Sequence, residues 1–330
     1  YQYYSTLDPN GEEYQEWKSN LASSAVSVPQ NRMLKSILKN NTLIANDYIE
    51  FNTASNGHYT IGTIGGNPNS STDDNKKMLF GHPGGGTSKT TIVVGESINE
   101  FTSSNVTYDA DGSKSVSKAS YDGVDVTQEL SIIENSATGR DDVVKIKYIV
   151  KNDTEYAKQV GIRIMMDTML GGNDAAPFRV NGSDVTTETV YSGSNIPQIW
   201  QAFDSATNPG VVAQGTFYKS GDRKPDKVQF TNWGNVTSTL WDYVTQPGRS
   251  NGDSAVSITW NKDTFTSGET REFVTYYGLS ELEQNLIPPL ALSVYADNKV
   301  SISNFNYDDI NANVYLDNIG DGDATDVSIK

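Results

Sequence analysis

From residue 43 to residue 279, hydrophobic and polar side chains alternate with a period of two, the period of a β-strand. The alternation predicts strands over residues 48–51, 58–64, 90–94, 101–108, 124–133 and 143–150. It resumes over 160–170, 185–191, 199–203, 211–218, 227–233, 255–260 and 271–279. Nearly every connection carries Gly, Pro, Asn or Asp, the residues that turn a chain sharply. Strands at this density, with almost no helical periodicity between them, predict an all-β fold built as a large two-sheet sandwich. Residues 160–180 are expected to be its centre. Val160, Ile162, Ile164 and Met166 share one strand face, and the strand breaks at Gly171-Gly172 into a loop bearing Asn173, Asp174 and Pro177.

The two ends differ from this middle. Over residues 12–21 the spacing of Tyr14, Trp17 and Leu21 predicts a short helix, and Met33, Leu34, Ile37 and Leu38 repeat helical spacing after Pro29. Pro288-Pro289 marks a boundary, followed by short strands over 290–296, 300–305 and 311–316. The expected organisation is an N-terminal helical segment (1–40) packing on the sandwich, a large sandwich (41–287) and a third β segment (288–330). A start at Tyr1 and an end within an alternating pattern predict a piece of a longer protein.

Charge and composition narrow the functions. Asp and Glu outnumber Lys and Arg by 41 to 25, a formal charge of −16. That field repels phosphate backbones and argues against nucleic acid as a partner. No run of about 18 apolar residues is present, so nothing predicts membrane insertion through a helix. With no cysteine, disulfides, thiolate metal sites and cysteine nucleophiles are excluded together. An acidic, cysteine-free chain suits a secreted or cell-surface protein.

The block from about residue 78 to 279 resembles a β-rich module of large, uncharacterised surface proteins of Clostridia and related Firmicutes. The residues that carry the resemblance include Val126-Thr127-Gln128-Glu129-Leu130, Thr138-Gly139-Arg140-Asp141-Asp142, Gly161 to Gly171, Asn173 to Phe178, Pro225 to Phe230, Trp241-Asp242-Tyr243 and Gly252 to Val256. The order of its glycine-punctuated strands is similar to the galactose-mutarotase-type supersandwich. That resemblance implies a carbohydrate connection. Epimerases of that type use a histidine and a glutamate, but neither His58 nor His82 sits in a matching motif, so no catalytic residue is assigned. The segment after Pro289 looks similar to the start of an immunoglobulin-like module.

Two groups of residues carry candidate chemistry. Trp200, Trp233, Trp241 and Tyr243 stand near polar loops, where aromatic faces could stack on sugar rings while Asp242 and Asn232 bind hydroxyls. The alternative is that these rings close the ends of the core. Asp167, Asn173 and Asp174 bracket a glycine turn and could hold calcium or clamp a sugar. Alternatively, Asp167 is a buried acceptor for Arg163 or for backbone donors, and Asn173 and Asp174 shape the loop. The expected function is a non-catalytic extracellular module for carbohydrate binding or adhesion, its partner a polysaccharide or surface glycan. A structural spacer or self-associating fibre subunit is the first alternative. A glycan hydrolase, lyase or epimerase using Asp167, Asp174 and His82 is the second.

Overall fold

A computed structural model describes residues 36–38, 41–109, 112–135, 138–280, 290–296, 302–303, 306–307 and 312–318. All belong to one compact unit spanning Met33–Lys330. The first strands are β1 (Ser36–Leu38), β2 (Asn41–Ala45), β3 (Ile49–Thr53) and β4 (Tyr59–Thr63), which form a sheet in chain order. Then follow β5 (Lys89–Val94), β6 (Ser97–Glu100), β7 (Val106–Tyr108), β8 (Lys114–Tyr121), β9 (Val124–Asn135), β10 (Arg140–Asn152) and β11 (Lys158–Asp167). Next come β12 (Phe178–Val180), β13 (Ser183–Val185), β14 (Thr189–Ser192), β15 (Ile199–Phe203), β16 (Val212–Thr216) and β17 (Lys227–Asn232). A single turn of helix, α1 (Trp233–Val236), precedes β18 (Ser254–Phe265) and β19 (Thr270–Leu279).

Two large antiparallel sheets carry the fold. One has nine strands in the order β13-β12-β15-β16-β19-β10-β9-β8-β7, the other six in the order β14-β17-β18-β11-β5-β6. Their inner faces share one core, in which Leu130, Ile146, Tyr148 and Tyr277 of the first meet Ile162, Ile164, Phe230 and Ile258 of the second. The expected two-sheet sandwich is therefore the fold. Trp200 of β15 sits within it, stacked on Tyr277 at 5.3 Å and edge-on to Phe230 across the sandwich at 5.8 Å. A Cβ at Gly215, on the neighbouring strand, would lie 2.0 Å from the indole, so only glycine leaves room for it. Emptying such a site by truncation to Ala costs about 3–5 kcal/mol.

The central strand β11 is buried on both faces. It lies between β18 and β5. Ile162, Ile164 and Met166 point into the core, as their spacing predicts. On the opposite face, Gly161, Arg163 and Met165 are covered by the segment from α1 to Tyr243. There Met165 packs with Val236, Tyr243, Ala255 and Trp233 in a second small core. The ring of Trp241 lies on Gly161, where an added Cβ would stand 2.7 Å from its Cη2 atom. Arg163 is 1% exposed and forms no ion pair among the described residues. Its guanidinium instead donates to the carbonyls of Trp241 (2.8 Å), Thr239 (3.0 Å) and Val236 (3.3 Å), holding the covering segment down. Burial drives its pKa down to about 10, with Asp242 opposing the shift.

Some expectations are corrected here. Ile37 and Leu38 lie on β1, paired with Asn41 and Thr42 of β2, so the helical spacing around them marks a hairpin instead. The helix expected over 12–21 lies outside the described residues. Beyond residue 289, β20 (Leu290–Ala296) pairs with β23 (Ala312–Asn318), and β21 (Ile302–Ser303) with β22 (Asn306–Tyr307). Of the expected strands, 290–296 coincides with β20, 311–316 overlaps β23 and 300–305 contains β21, whereas β22 was not expected. Residues 281–289 and 319–330 lie outside the described residues.

Candidate functional site

The site forms where β11 ends. Antiparallel pairing sets Asp167 of β11 opposite Ala255 of β18, which brings the residues just before β18 alongside those just after β11. Ser254 fastens the two chains together. Thr168 donates its backbone N–H to the Ser254 carbonyl at 2.9 Å, and Ser254 donates its own to the Asp174 carbonyl at 2.8 Å. Carboxylate oxygens of Asp167, Asp174 and Asp253 thereby converge to within 4.8 Å of one another. The backbone of Asp253 adopts φ +62°, a left-handed conformation uncommon for a side chain larger than glycine.

The three acids are unequal. Asp167 is 2% exposed, while Asp174 and Asp253 are half-buried. Thr87 donates its hydroxyl to Oδ2 of Asp167, but Oδ1 is buried without a hydrogen-bond partner. Oδ1 of Asp174 is buried and unpartnered in the same way. Burial pushes the Asp167 carboxyl up to about 7; the Thr87 bond opposes the shift, and the charges of Asp253 and Asp174 add to it. Asp174 and Asp253 are also raised, each chiefly by burial, with Lys77 pulling Asp174 down and Asp174 pushing Asp253 up. Among the described residues, no basic side chain makes an ion pair with any of the three.

Asn173, expected beside Asp167 and Asp174 as a metal ligand, is engaged elsewhere. Its side-chain oxygen accepts from the N–H of Ala175 at 3.0 Å and its amide donates to the Asp204 carbonyl at 2.9 Å. It shapes the loop. Asp253 takes its place in the cluster. Sequence reasoning missed Asp253, and the available signal was its position just ahead of the strand that pairs with β11.

The aromatic platform does not form. Trp200 is 1% exposed in the main core, and Trp241 and Tyr243 are buried at 9% and 7%. Stacking on a sugar needs an open ring face, and these three have none. Trp233 is half-buried against Met165 and Ala255. Asn232 caps α1, accepting from the N–H of Asn235 at 3.1 Å and donating to the Gly252 carbonyl. Asp242 is exposed.

Tyr243 serves another acid. Glu188, 5% exposed, accepts from the Tyr243 hydroxyl with both oxygens (2.7 and 2.8 Å), from Thr231 and Asn235 (2.9 Å each) and from the N–H of Gln246 (2.7 Å). Burial alone raises this carboxyl, but the donors outweigh it and hold it below its ordinary value. His82 is likewise committed. Its Nδ1 meets Thr60 Oγ1 at 3.1 Å and its Nε2 meets Glu50 at 2.8 Å, in a site 6% exposed.

No protein-family model matches this chain, and no curated protein matches it by sequence. Solved structures similar to it include a galactose mutarotase related enzyme from Lactobacillus acidophilus, at 8% identity and a TM-score of 0.41, covering 73% of this chain and 97% of that one. A galactose mutarotase-like protein from Lactobacillus casei shows 10% identity and a TM-score of 0.39 over 72% of this chain and 99% of that one. A polysaccharide lyase shows 10% identity and a TM-score of 0.42 over 83% of this chain, which spans 43% of the lyase's length. At such identities neither activity nor residue roles carry over. Fold and site together define an all-β two-sheet sandwich with a carboxylate cluster at the end of its central strand.

Proposed function

We propose that this chain is a non-catalytic binding module of the extracellular space or cell surface, and that it holds a polysaccharide or surface glycan at the strand end marked by Asp174 and Asp253. The unused acceptor capacity of the cluster carries this reading. Three carboxylates meet, two of them half-buried at the surface, and among the described residues no lysine or arginine forms an ion pair with them. Sugar hydroxyls are donors that such oxygens accept, and hydrogen bonds to a charged group contribute about 1.5–3 kcal/mol each. Binding is favoured over turnover because the groups best suited to proton transfer are walled in. Asp167 is 2% exposed, and His82 has both ring nitrogens engaged.

The test is retention of the full chain on insoluble polysaccharides and on a soluble glycan array, beside Asp174→Asn and Asp253→Asn. Retention on one glycan class, reduced at least tenfold by either variant, is the expected result. If the wild-type chain is held by no glycan, the reading fails.

A further inference from the structure

We infer that Asp167, Asp174 and Asp253 form a calcium site, with the ion seated inward against Asp167. The inference deepens the glycan-binding reading by naming what holds the outer carboxylates in place, and it rests on that reading only for the identity of the final ligand.

Four observations lead there. First, all the converging atoms are carboxylate oxygens drawn from three points of the chain, the donor set of a hard cation and not of zinc or copper. Second, the spacing fits. Oxygens on opposite sides of a calcium ion stand about 4.6–5.2 Å apart, twice a bond of ~2.3–2.6 Å. Separations of no more than 4.8 Å fall within that span. Magnesium, at ~2.0–2.1 Å per bond, spans at most about 4.2 Å and accommodates less of that range.

Third, and independent of the clustering, the side chain of Asp167 is 98% shielded yet leaves Oδ1 with no donor. A buried unpaired carboxylate oxygen is costly, and native proteins seldom leave one. Asp174 Oδ1 repeats the feature. A sugar hydroxyl on a bulky ring is poorly suited to so enclosed an atom; a bare ion is small enough. Fourth, among the described residues no basic side chain forms an ion pair with the cluster, and Lys77 acts on Asp174 only by its charge. Glu129, by contrast, is paired with both Lys114 and Lys147. The surroundings also hold the acids in position. Thr87 orients Asp167, Ser88 accepts from the Asp167 N–H, and the Asp253 carbonyl accepts from the Trp233 N–H at 2.7 Å.

The experiment is calorimetric titration of calcium chloride into the chelator-treated full chain at pH 7.5 and 8.5, with melting followed in parallel. One binding event and a rise in Tm of several degrees are expected. Asp253→Asn, a half-buried change that leaves the core intact, should weaken binding at least tenfold, and magnesium should raise Tm less than calcium does. Absence of binding heat and of any Tm shift at both pH values would overturn the site, because a proton shared among the acids is then the better account of the unpaired oxygens. The two readings fail separately. Calcium binding without glycan retention leaves the ion site and removes the glycan, while glycan retention indifferent to chelator, without calcium heat, does the reverse.

Discussion

Glu188 and Asp167 are both buried acids, and the chain treats them in opposite ways. Glu188 accepts from four donors, the Tyr243 proton being shared between its two oxygens. Asp167 accepts one at its side chain, leaves an oxygen unpaired and faces two further acids. Burial raises both carboxyls, and the donors reverse its effect at only one of them. A buried acid completed by the chain's own donors is part of the scaffold. One left incomplete keeps acceptor capacity that the chain's own donors do not fill.

The largest expected effect falls on the completed acid. Glu188→Ala strips the acceptor from four donors at once and should destabilise the protein by about 3–4 kcal/mol, given ~1.5–3 kcal/mol for each hydrogen bond to a charged group and partial rescue by water. Glu188→Gln should cost less than half of that. Urea midpoints check both, and a loss below about 1 kcal/mol for the alanine variant would erase the contrast with Asp167.

Next in size is Gly161→Ala. The new Cβ meets Trp241 at 2.7 Å and pushes the ring and its segment outward, for about 1–3 kcal/mol by the cost of overpacking. Tryptophan fluorescence should shift towards that of a wetter indole.

Acid and base sharpen the comparison further. Glu188 is held below its ordinary pKa, so its contribution is present above about pH 4.5 and is lost as pH falls through the folded value. Asp167 is raised to about 7, so the opposite sign applies. In chelated protein its protonation stabilises the fold most below the ordinary value of about 4, and that contribution fades as pH rises through 7. Asp167→Asn should therefore gain on wild type between pH 5 and 8 in chelator, and Glu188→Gln should approach wild type below pH 4.5. Denaturation curves across pH read both slopes. The smallest effect belongs to Asp242→Asn. Asp242 is exposed and acts on Arg163 through solvent, so stability should change by less than about 0.5 kcal/mol.

How much of this was legible in the sequence depends on whether the determining contact is local. The inner face of β11 follows from alternation alone, and the closeness of Asp167 and Asp174 follows from a seven-residue gap and a glycine turn. Asp253 joins them only through the pairing of β11 with β18, a contact between residues far apart in sequence. The aromatic residues were misread because a tryptophan beside a polar loop has the same sequence signature whether its ring points out or in. The alternation at Ile199–Phe203 places Trp200 and Ala202 together, but not which of the two faces is the core. β8 escaped because its inward positions are Ser115 and Ser117, both fully buried, with Ser115 hydrogen-bonded to Thr53 at 2.8 Å. A polar strand that seats small hydroxyls inside leaves little hydrophobic periodicity to find.

Arg163 grips the covering segment by main-chain oxygens at Val236, Thr239 and Trp241, atoms that every amino acid provides. The fastening is thus indifferent to the identity of the exposed side chains between those points. Ser238 and Thr239, both exposed, could be diversified in a display library while the anchor stays in place. The protein carries, ready made, a surface loop that can be rewritten without being re-engineered to stay folded.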